Sequence, residues 1–358
     1  MSLPGSALFY AVVALIIGSA HFLGTHLISR RLKMTRTVTA ADWFNRRPWI
    51  DESNAEIDAY VKSVATINDY DLKEKLESWR ENGIVIFEGA VDNAKIDSLL
   101  NDVEYLVHHQ KEFEIKVEMP GGIHVPIKEV DTAELLQTKQ LKINQIHEVS
   151  RAAVQCGLNA FAASFLQNVF QDTPSIIQSL FFIRGSQQPV HLDYSYVCVQ
   201  EHIAYLAASW VALEDVHEDS GPLAYYCGSQ KPEKLPFFDW GSGSIVYDER
   251  TSKEPRHLSY YLYEEIERLN IPARVFLPRK GDMLIWHGYL AHEGTEIKDP
   301  SRTRKSLVTH YTSKNSFPRL RKYPQADQMG QFYLENGGIF YYPPWTEGWR
   351  MLPSWASS

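Results

Sequence analysis

His191 and Asp193, in the run Gln187-Gln188-Pro189-Val190-His191-Leu192-Asp193, are two metal-binding residue types set two positions apart. On a β-strand residues i and i+2 face the same way, so this imidazole and this carboxylate can grip one ion from one side. About a hundred residues on, Trp286-His287-Gly288-Tyr289-Leu290-Ala291-His292-Glu293-Gly294 offers further imidazoles, and Arg304 follows. Two histidines and one carboxylate leave half of an octahedral iron open, where a keto acid and then dioxygen can bind; that is the site of a non-haem Fe(II) oxygenase. Phe181-Phe182-Ile183 before the pair and Tyr196-Val197-Cys198-Val199 after it read as short aromatic and β-branched strands, with Gly185-Ser186 as the turn.

These residues need a scaffold, and the pattern of the chain supplies one. Residues 56–80 and 92–110 read as amphipathic helices, the second capped by Asp92, and residues 151–170 as a third with a wide apolar face. From 175 to about 312 short strands punctuated by Gly and Pro take over. Helices first and strands afterwards imply a mainly β fold with flanking helices, the helical layer lying on a closed or sandwiched antiparallel sheet. Residues 231–273 interrupt the strands with Pro232, Pro236, Gly241, Gly243 and an acidic helical run over 260–269; at the mouth of a barrel such an insertion serves as a lid. Residues 311–355 hold eleven of the 44 aromatic side chains, which reads as a segment packed on the barrel or as an interfacial or pocket-lining surface.

The N-terminus has a different character. Residues 7–29 carry no acid or strong base, and at about 1.5 Å per residue they reach across the roughly 30 Å core of a bilayer. Arg30, Arg31, Lys33 and Arg36 follow, so the positive-inside tendency predicts a single-pass membrane helix with the catalytic part cytoplasmic. A signal peptide cleaved near Gly18-Ser19-Ala20 is the rival reading, but the basic cluster sits on the wrong flank for one. The expected division is an anchor over 1–34, a linker and first helix over 35–78 with Trp43, Phe44 and Trp49 as interfacial candidates, and a catalytic domain over 79–358 with an aromatic C-terminal extension. A net charge of −8 gives no support for a nucleic-acid partner. Cys156, Cys198 and Cys227 are odd in number and lie in apolar contexts, as expected of thiols rather than a disulfide framework.

Residues 79–311 resemble the phytanoyl-CoA dioxygenase family of Fe(II)/2-oxoglutarate oxygenases. The opening Trp79-Arg80-Glu81-Asn82-Gly83-Ile84-Val85-Ile86-Phe87 is similar to that family's passage from helix through glycine to first strand. Arg184-Gly185-Ser186-Gln187-Gln188 up to His191-Leu192-Asp193 resembles its metal-binding strand. Trp210-Val211-Ala212-Leu213-Glu214-Asp215, Ser220-Gly221-Pro222-Leu223 and Gly228-Ser229-Gln230-Lys231 resemble its central signature, and Gly281-Asp282 with Arg304-Lys305-Ser306-Leu307-Val308-Thr309-His310-Tyr311 its last strands.

The resemblance implies a double-stranded β-helix, a jelly-roll barrel with the metal inside one end. His191, Asp193 and His292 would hold Fe(II), and Arg304 would clamp the distal carboxylate of the cosubstrate 2-oxoglutarate, a task for which a planar, permanently charged fork is suited. His292 matches the family ligand better than His287, which is expected to pack beside the site. Trp210 matches a tryptophan near the keto acid, Gln178 can reach its near end, and Lys142 aligns loosely with a lysine on a preceding strand. The family often carries a serine two residues past the distal histidine; here that position is Gly294, and Thr295 is the nearest hydroxyl. Gln230 replaces a customary histidine. Related halogenases have a small residue where this chain has Asp193, so hydroxylation with dioxygen, releasing succinate and carbon dioxide, is expected. The substrate would be a small or lipid-like organic molecule. The competing reading is a catalytically silent, membrane-tethered jelly-roll binding module.

Overall fold

The computed structural model describes residues 37–64, 69–197, 202–317, 331–342 and 350–355. The chain divides into two units, Met1–Arg30 and Arg31–Ser358, and all described residues belong to the second. The expected membrane helix therefore lies outside the described residues, among which no helix is long and apolar enough to cross a membrane. Cys198 lies outside them as well, while Cys156 and Cys227 are free thiols.

In chain order the helices are α1 (Ala40–Asn45), α2 (Ile57–Ser63), α3 (Leu72–Asn82), α4 (Asn93–His108), α5 (Thr132–Gln137), α6 (Arg151–Gly157), α7 (Ala160–Phe170) and α8 (Pro255–Arg268). The strands are β1 (Ile84–Phe87), β2 (Lys116–Met119), β3 (Ile123–Pro126), β4 (Lys142–Asn144), β5 (Pro174–Phe182), β6 (Ala207–Ala212), β7 (Leu223–Tyr225), β8 (Arg274–Phe276), β9 (Met283–His287), β10 (His292–Gly294), β11 (Ser306–Ser313), β12 (Gln331–Glu335) and β13 (Gly338–Tyr342). Two expected helices are each divided. Asp71 starts α3 afresh by accepting from the Glu74 N–H. Asn159 stops α6 with a hydrogen bond to the Cys156 carbonyl and starts α7 by accepting from the Ala162 N–H. Asp92 stands at the N-cap of α4 but makes no side-chain cap bond. Gly83, in the left-handed region with φ +74°, closes α3 and turns the chain into β1.

The larger sheet runs β1-β9-β6-β11-β5-β4-β2-β3, with the β12–β13 hairpin joined to β5; the smaller runs β10-β7-β8. Alternation along the central strands sorts side chains into two layers. Val211, Met283, Ile285, Leu307, Tyr311 and Phe181 face the helices, where they meet Leu76, Trp79, Leu99, Val103, Leu166 and others in one core. Their neighbours Trp210, Leu284, Trp286, Val308, Leu180 and Phe182 face inward and pack against Leu223, Tyr225 and Phe276 of the smaller sheet. The result is the mainly β fold with flanking helices that was expected, and the space between the sheets is where the inward residues converge.

A third core lies behind the smaller sheet. It joins Leu258, Leu262 and Ile266 of α8 to Val190, Leu192, Tyr289 and Ala291, with Trp43 added from the N-terminal side. The insertion over 231–273 thus backs the strands that carry the candidate ligands instead of covering the mouth as a lid. Trp43, expected at a membrane interface, is 2% exposed against Tyr194 and Tyr289. Trp49 likewise packs on Tyr60, and of the three only Phe44 is largely exposed. In the aromatic C-terminal stretch, the described side chains of Phe340 and Leu352 are buried in the helical core.

Candidate metal centre

His191 and His292 form a cross-strand pair. Each backbone N–H donates to the other's carbonyl, at 3.0 and 3.2 Å, so His191 adds a fourth strand position to the smaller sheet. Directly opposed residues present their side chains on the same face, and the two imidazole rings stand 4.2 Å apart between centroids. Asp193 does not continue a strand. A 3-10 turn over Asp193–Ser195 bends the chain there, and the carboxylate folds back toward both rings. Its Oδ1 lies 3.7 Å from His191 Nε2 and 3.6 Å from His292 Nε2. Among the described residues these three are the group whose ligand atoms come close enough to hold one metal ion.

The ring orientations suit a metal. His191 Nδ1 is 2.9 Å from the Pro189 carbonyl and His292 Nδ1 is 3.0 Å from the Leu290 carbonyl. With Nδ1–H donated in both cases, each Nε2 lone pair is left facing the shared centre. Burial, reinforced by the neighbouring His292, pushes the His191 imidazole down to about 3, which keeps it neutral as a ligand must be. Burial works against ionising Asp193, yet His292, His310 and His191 together hold its carboxyl well below the usual carboxylate range.

Arg304 lines the same cavity. It is 2% exposed, and its backbone N–H donates to the Ile183 carbonyl, extending the β5–β11 pairing by two residues. Its Nη1 donates to the Gly221 carbonyl at 2.9 Å, Nε has no partner, and the guanidinium lies over the rings of Trp210 and Phe182 at 5.4 and 5.5 Å. No carboxylate of the described residues pairs with it, and burial pulls its pKa down to about 10. A buried cation without an anion is costly, and it is the feature a bound dicarboxylate would satisfy. Ser306, one alternation further on, is fully buried with an unpartnered hydroxyl.

The other sequence candidates divide. Trp210 lines the cavity. Gln178 sits opposite His310 on β5 but does not line the cavity. Lys142 is paired with Glu118 at 2.8 Å and with the Gln188 side-chain oxygen at 3.0 Å, so it reaches the cavity only through Gln188. Thr295 spends its hydroxyl on the Pro222 carbonyl and lies off the cavity. Gly294 lines it instead, and a Cβ there would stand 2.3 Å from Ser186 Oγ, so the loop carrying Ser186 occupies the space of a side chain at 294. His287 is buried beside Asp51 at 3.3 Å and between the rings of Trp43 and Trp79, outside the metal group. Gln230 donates to the Arg80 carbonyl and serves the end of α3. Two residues of the site were not singled out in sequence: Trp286, whose Nε1–H donates to Asp193 Oδ2 at 2.8 Å, and His310, whose Nε2 lies 3.3 Å from the same oxygen. For His310 the available signal was its even spacing from Arg304 along one extended run; Trp286 offered none.

Solved structures are similar to the chain at low identity. The non-heme alpha-ketoglutarate-dependent carbocyclase SnoK from nogalamycin biosynthesis is 13% identical, with TM-score 0.49 over 68% of this chain and 85% of its own. The epimerase SnoN, solved with Fe3+, alpha-ketoglutarate and nogalamycin RO, is 15% identical, with TM-score 0.49 over 75% and 98%. EctD from S. alaskensis, solved with 2-oxoglutarate and 5-hydroxyectoine, is 16% identical, with TM-score 0.47 over 81% and 88%. No curated protein matches the chain. The profile of the phytanoyl-CoA dioxygenase (PhyH) family does match, over residues 79–306, well over half of the sequence, and the chain belongs to that family.

Proposed function

We propose that this protein is an Fe(II)/2-oxoglutarate-dependent dioxygenase that hydroxylates a small or lipid-like organic substrate, with His191, Asp193 and His292 as the iron ligands. The observation that carries this reading is the meeting, in one cavity, of a two-histidine, one-carboxylate cluster with Arg304, a buried guanidinium that has no anion of its own. The donor set fits Fe(II): two neutral imidazoles and a carboxylate on one side, with the remaining positions open. When bound, iron and 2-oxoglutarate supply the oxidising power, the keto acid leaving as succinate and carbon dioxide while one oxygen atom of O2 passes to the substrate.

The chain's own residues position these reactants. Arg304 receives the distal carboxylate of 2-oxoglutarate through its free donor edge, and Trp210 and Phe182 keep water from the ion pair. Leu180, Leu223 and Val308 give the cavity apolar walls, which suit a substrate presenting a C–H bond and exclude competing water. With a metal bound, the Asp193 carboxylate would fill the position a halide would need, which favours hydroxylation. On sequence alone, residues 7–29 anchor the protein in a membrane with the catalytic domain on the cytoplasmic face, and an anchor favours lipid-linked substrates.

The test is turnover. Purified protein with Fe(II), O2 and 2-oxoglutarate should form succinate, and extracts of cells with and without the gene should differ by a product about 16 Da heavier than its precursor, one oxygen atom. Asp193→Ala should abolish both. A protein that binds Fe(II) but forms no succinate with any extract is the tethered binding module instead.

A further inference from the structure

We propose that His310 and Trp286 are positioning residues that confine Asp193 to one-oxygen coordination of the metal. The inference rests on the metal reading above and concerns how the carboxylate is held. Trp286 donates to Oδ2 at 2.8 Å and His310 Nε2 stands 3.3 Å from that same Oδ2, whereas Oδ1 is the atom turned toward His191 and His292. His310 is 3% exposed and lines the cavity; neither ring nitrogen meets hydrogen-bond geometry with a described residue, and Nε2 stands in ion-pair range of Asp193 Oδ2.

The sheet register explains why the carboxylate fits between them. Trp286 on β9 is opposite Ala208 on β6, and Ala208 is opposite His310 on β11. The three form one row across the inner face, two strand spacings wide, or about 9–10 Å between the outer pair. Ala208 contributes only a methyl group, so the row has a notch at its centre with the Trp286 N–H on one side and the His310 imidazole on the other. Asp193 enters that notch with Oδ2. An oxygen hydrogen-bonded by Trp286 and flanked by His310 is held away from chelation, and the coordination count requires that it stay so: three protein atoms and two from a keto acid would leave one position for dioxygen in an octahedron. A chelating carboxylate would fill it.

Removing a donor that orients a ligand costs metal affinity about 10–100-fold. His310→Leu and Trp286→Phe should therefore bind Fe(II) more weakly by that factor in titrations of the metal-free protein. His310→Asn, which keeps an N–H donor, should stay within about threefold of wild type. Co(II) gives a readout independent of activity. If the carboxylate chelates in His310→Leu, the coordination number rises and the visible d–d bands weaken relative to wild type, while His310→Asn keeps the wild-type spectrum. Wild-type affinity and spectrum in His310→Leu would overturn the inference while leaving the metal reading intact. A wild type that binds neither Fe(II) nor Co(II) overturns both. If His310→Leu does not fold, Trp286→Phe decides: Fe(II) binding weakened about 10-fold or more supports the inference and wild-type affinity overturns it.

Discussion

Replacing Arg304 by methionine should produce a protein that is no less stable than wild type without cosubstrate and nearly blind to 2-oxoglutarate. Arg304 is fully enclosed, and burial lowers its pKa from the ordinary 12.5 to about 10. At 1.36 kcal/mol per pH unit that fall represents roughly 3 kcal/mol charged against the folded state for keeping the guanidinium protonated. The folded pKa of this base is depressed, so the cost is present at every pH below about 10 and disappears only as pH rises toward 12.5. Methionine removes it, offset in part by the lost hydrogen bond to Gly221 and the contacts with Phe182 and Trp210. The melting temperature of Arg304→Met without cosubstrate should accordingly equal or exceed that of wild type. Affinity should move the other way, because losing one partner of a buried ion pair costs about 3–5 kcal/mol, a hundredfold or more in Kd. The Fe(II)/2-oxoglutarate charge-transfer absorbance measures that Kd directly. Thermal shift gives a second reading: at 100 times the wild-type Kd, 2-oxoglutarate stabilises wild type by about 2.7 kcal/mol, but a variant weakened a hundredfold by only about 0.4. Arg302→Ala is the control, since Arg302 is a surface residue paired with Asp299 at 3.1 Å and should leave both quantities unchanged. Equal 2-oxoglutarate affinity in Arg304→Met and wild type would refute the assignment even if iron still bound.

The two nearby histidines should separate cleanly: His292→Ala loses Fe(II), whereas His287→Ala keeps it and lowers stability by about 2–4 kcal/mol, because it empties a buried site between Trp43, Trp79 and Asp51. Retained metal binding in His292→Ala with loss in His287→Ala would show the wrong histidine has been chosen. Gly294→Ala should cost about 1–3 kcal/mol of stability and weaken Fe(II) binding, since its Cβ meets Ser186 Oγ at 2.3 Å and the Gln187 backbone nitrogen at 2.9 Å on the strand that carries His292; an unchanged melt means the 186–188 loop yields freely. On the sequence of residues 7–29, the protein should fractionate with membranes, and protease outside sealed cells should spare the catalytic domain; digestion from outside counts against that topology.

The parts of the site legible in sequence are those that short-range spacing encodes. His191 and Asp193 are two residues apart and Arg304 follows His292 by twelve, so type, spacing and the family resemblance gathered them. The row Trp286, Ala208 and His310 belongs to three strands, and no local pattern states that these positions are opposite one another; only the register does. Lys142 was offered by the family resemblance and Thr295 as the nearest hydroxyl, but Lys142 has Glu118 directly opposite on the neighbouring strand β2 and the Thr295 hydroxyl has the Pro222 carbonyl, contacts that tertiary pairing alone creates. The division of residues 56–80 and 151–170 into shorter helices was marked by Asp71 and Asn159, whose capping side chains are stronger local signals than the apolar periodicity around them.

The insertion over 231–273 shows how the same alternation that builds the site also supports it. Along the ligand-bearing segments, His191, Asp193 and His292 face the cavity, and the residues between and beside them, Val190, Leu192 and Ala291, necessarily face away. Those outward side chains are apolar and need cover. Leu258, Leu262 and Ile266, on one face of α8, provide it, and the Tyr226 and Tyr263 hydroxyls each donate to the Glu293 carboxylate at 2.6 Å, tying α8 to the residue after His292. An element so placed cannot open and close over the cavity without uncovering the outer side of the metal-bearing strands. Rigidity behind His191, Asp193 and His292 suits the proposed metal centre, so selectivity for the substrate falls to the other residues that line the cavity, among them the apolar Leu180, Phe182, Leu223 and Val308 and the polar Ser186 and Gln188.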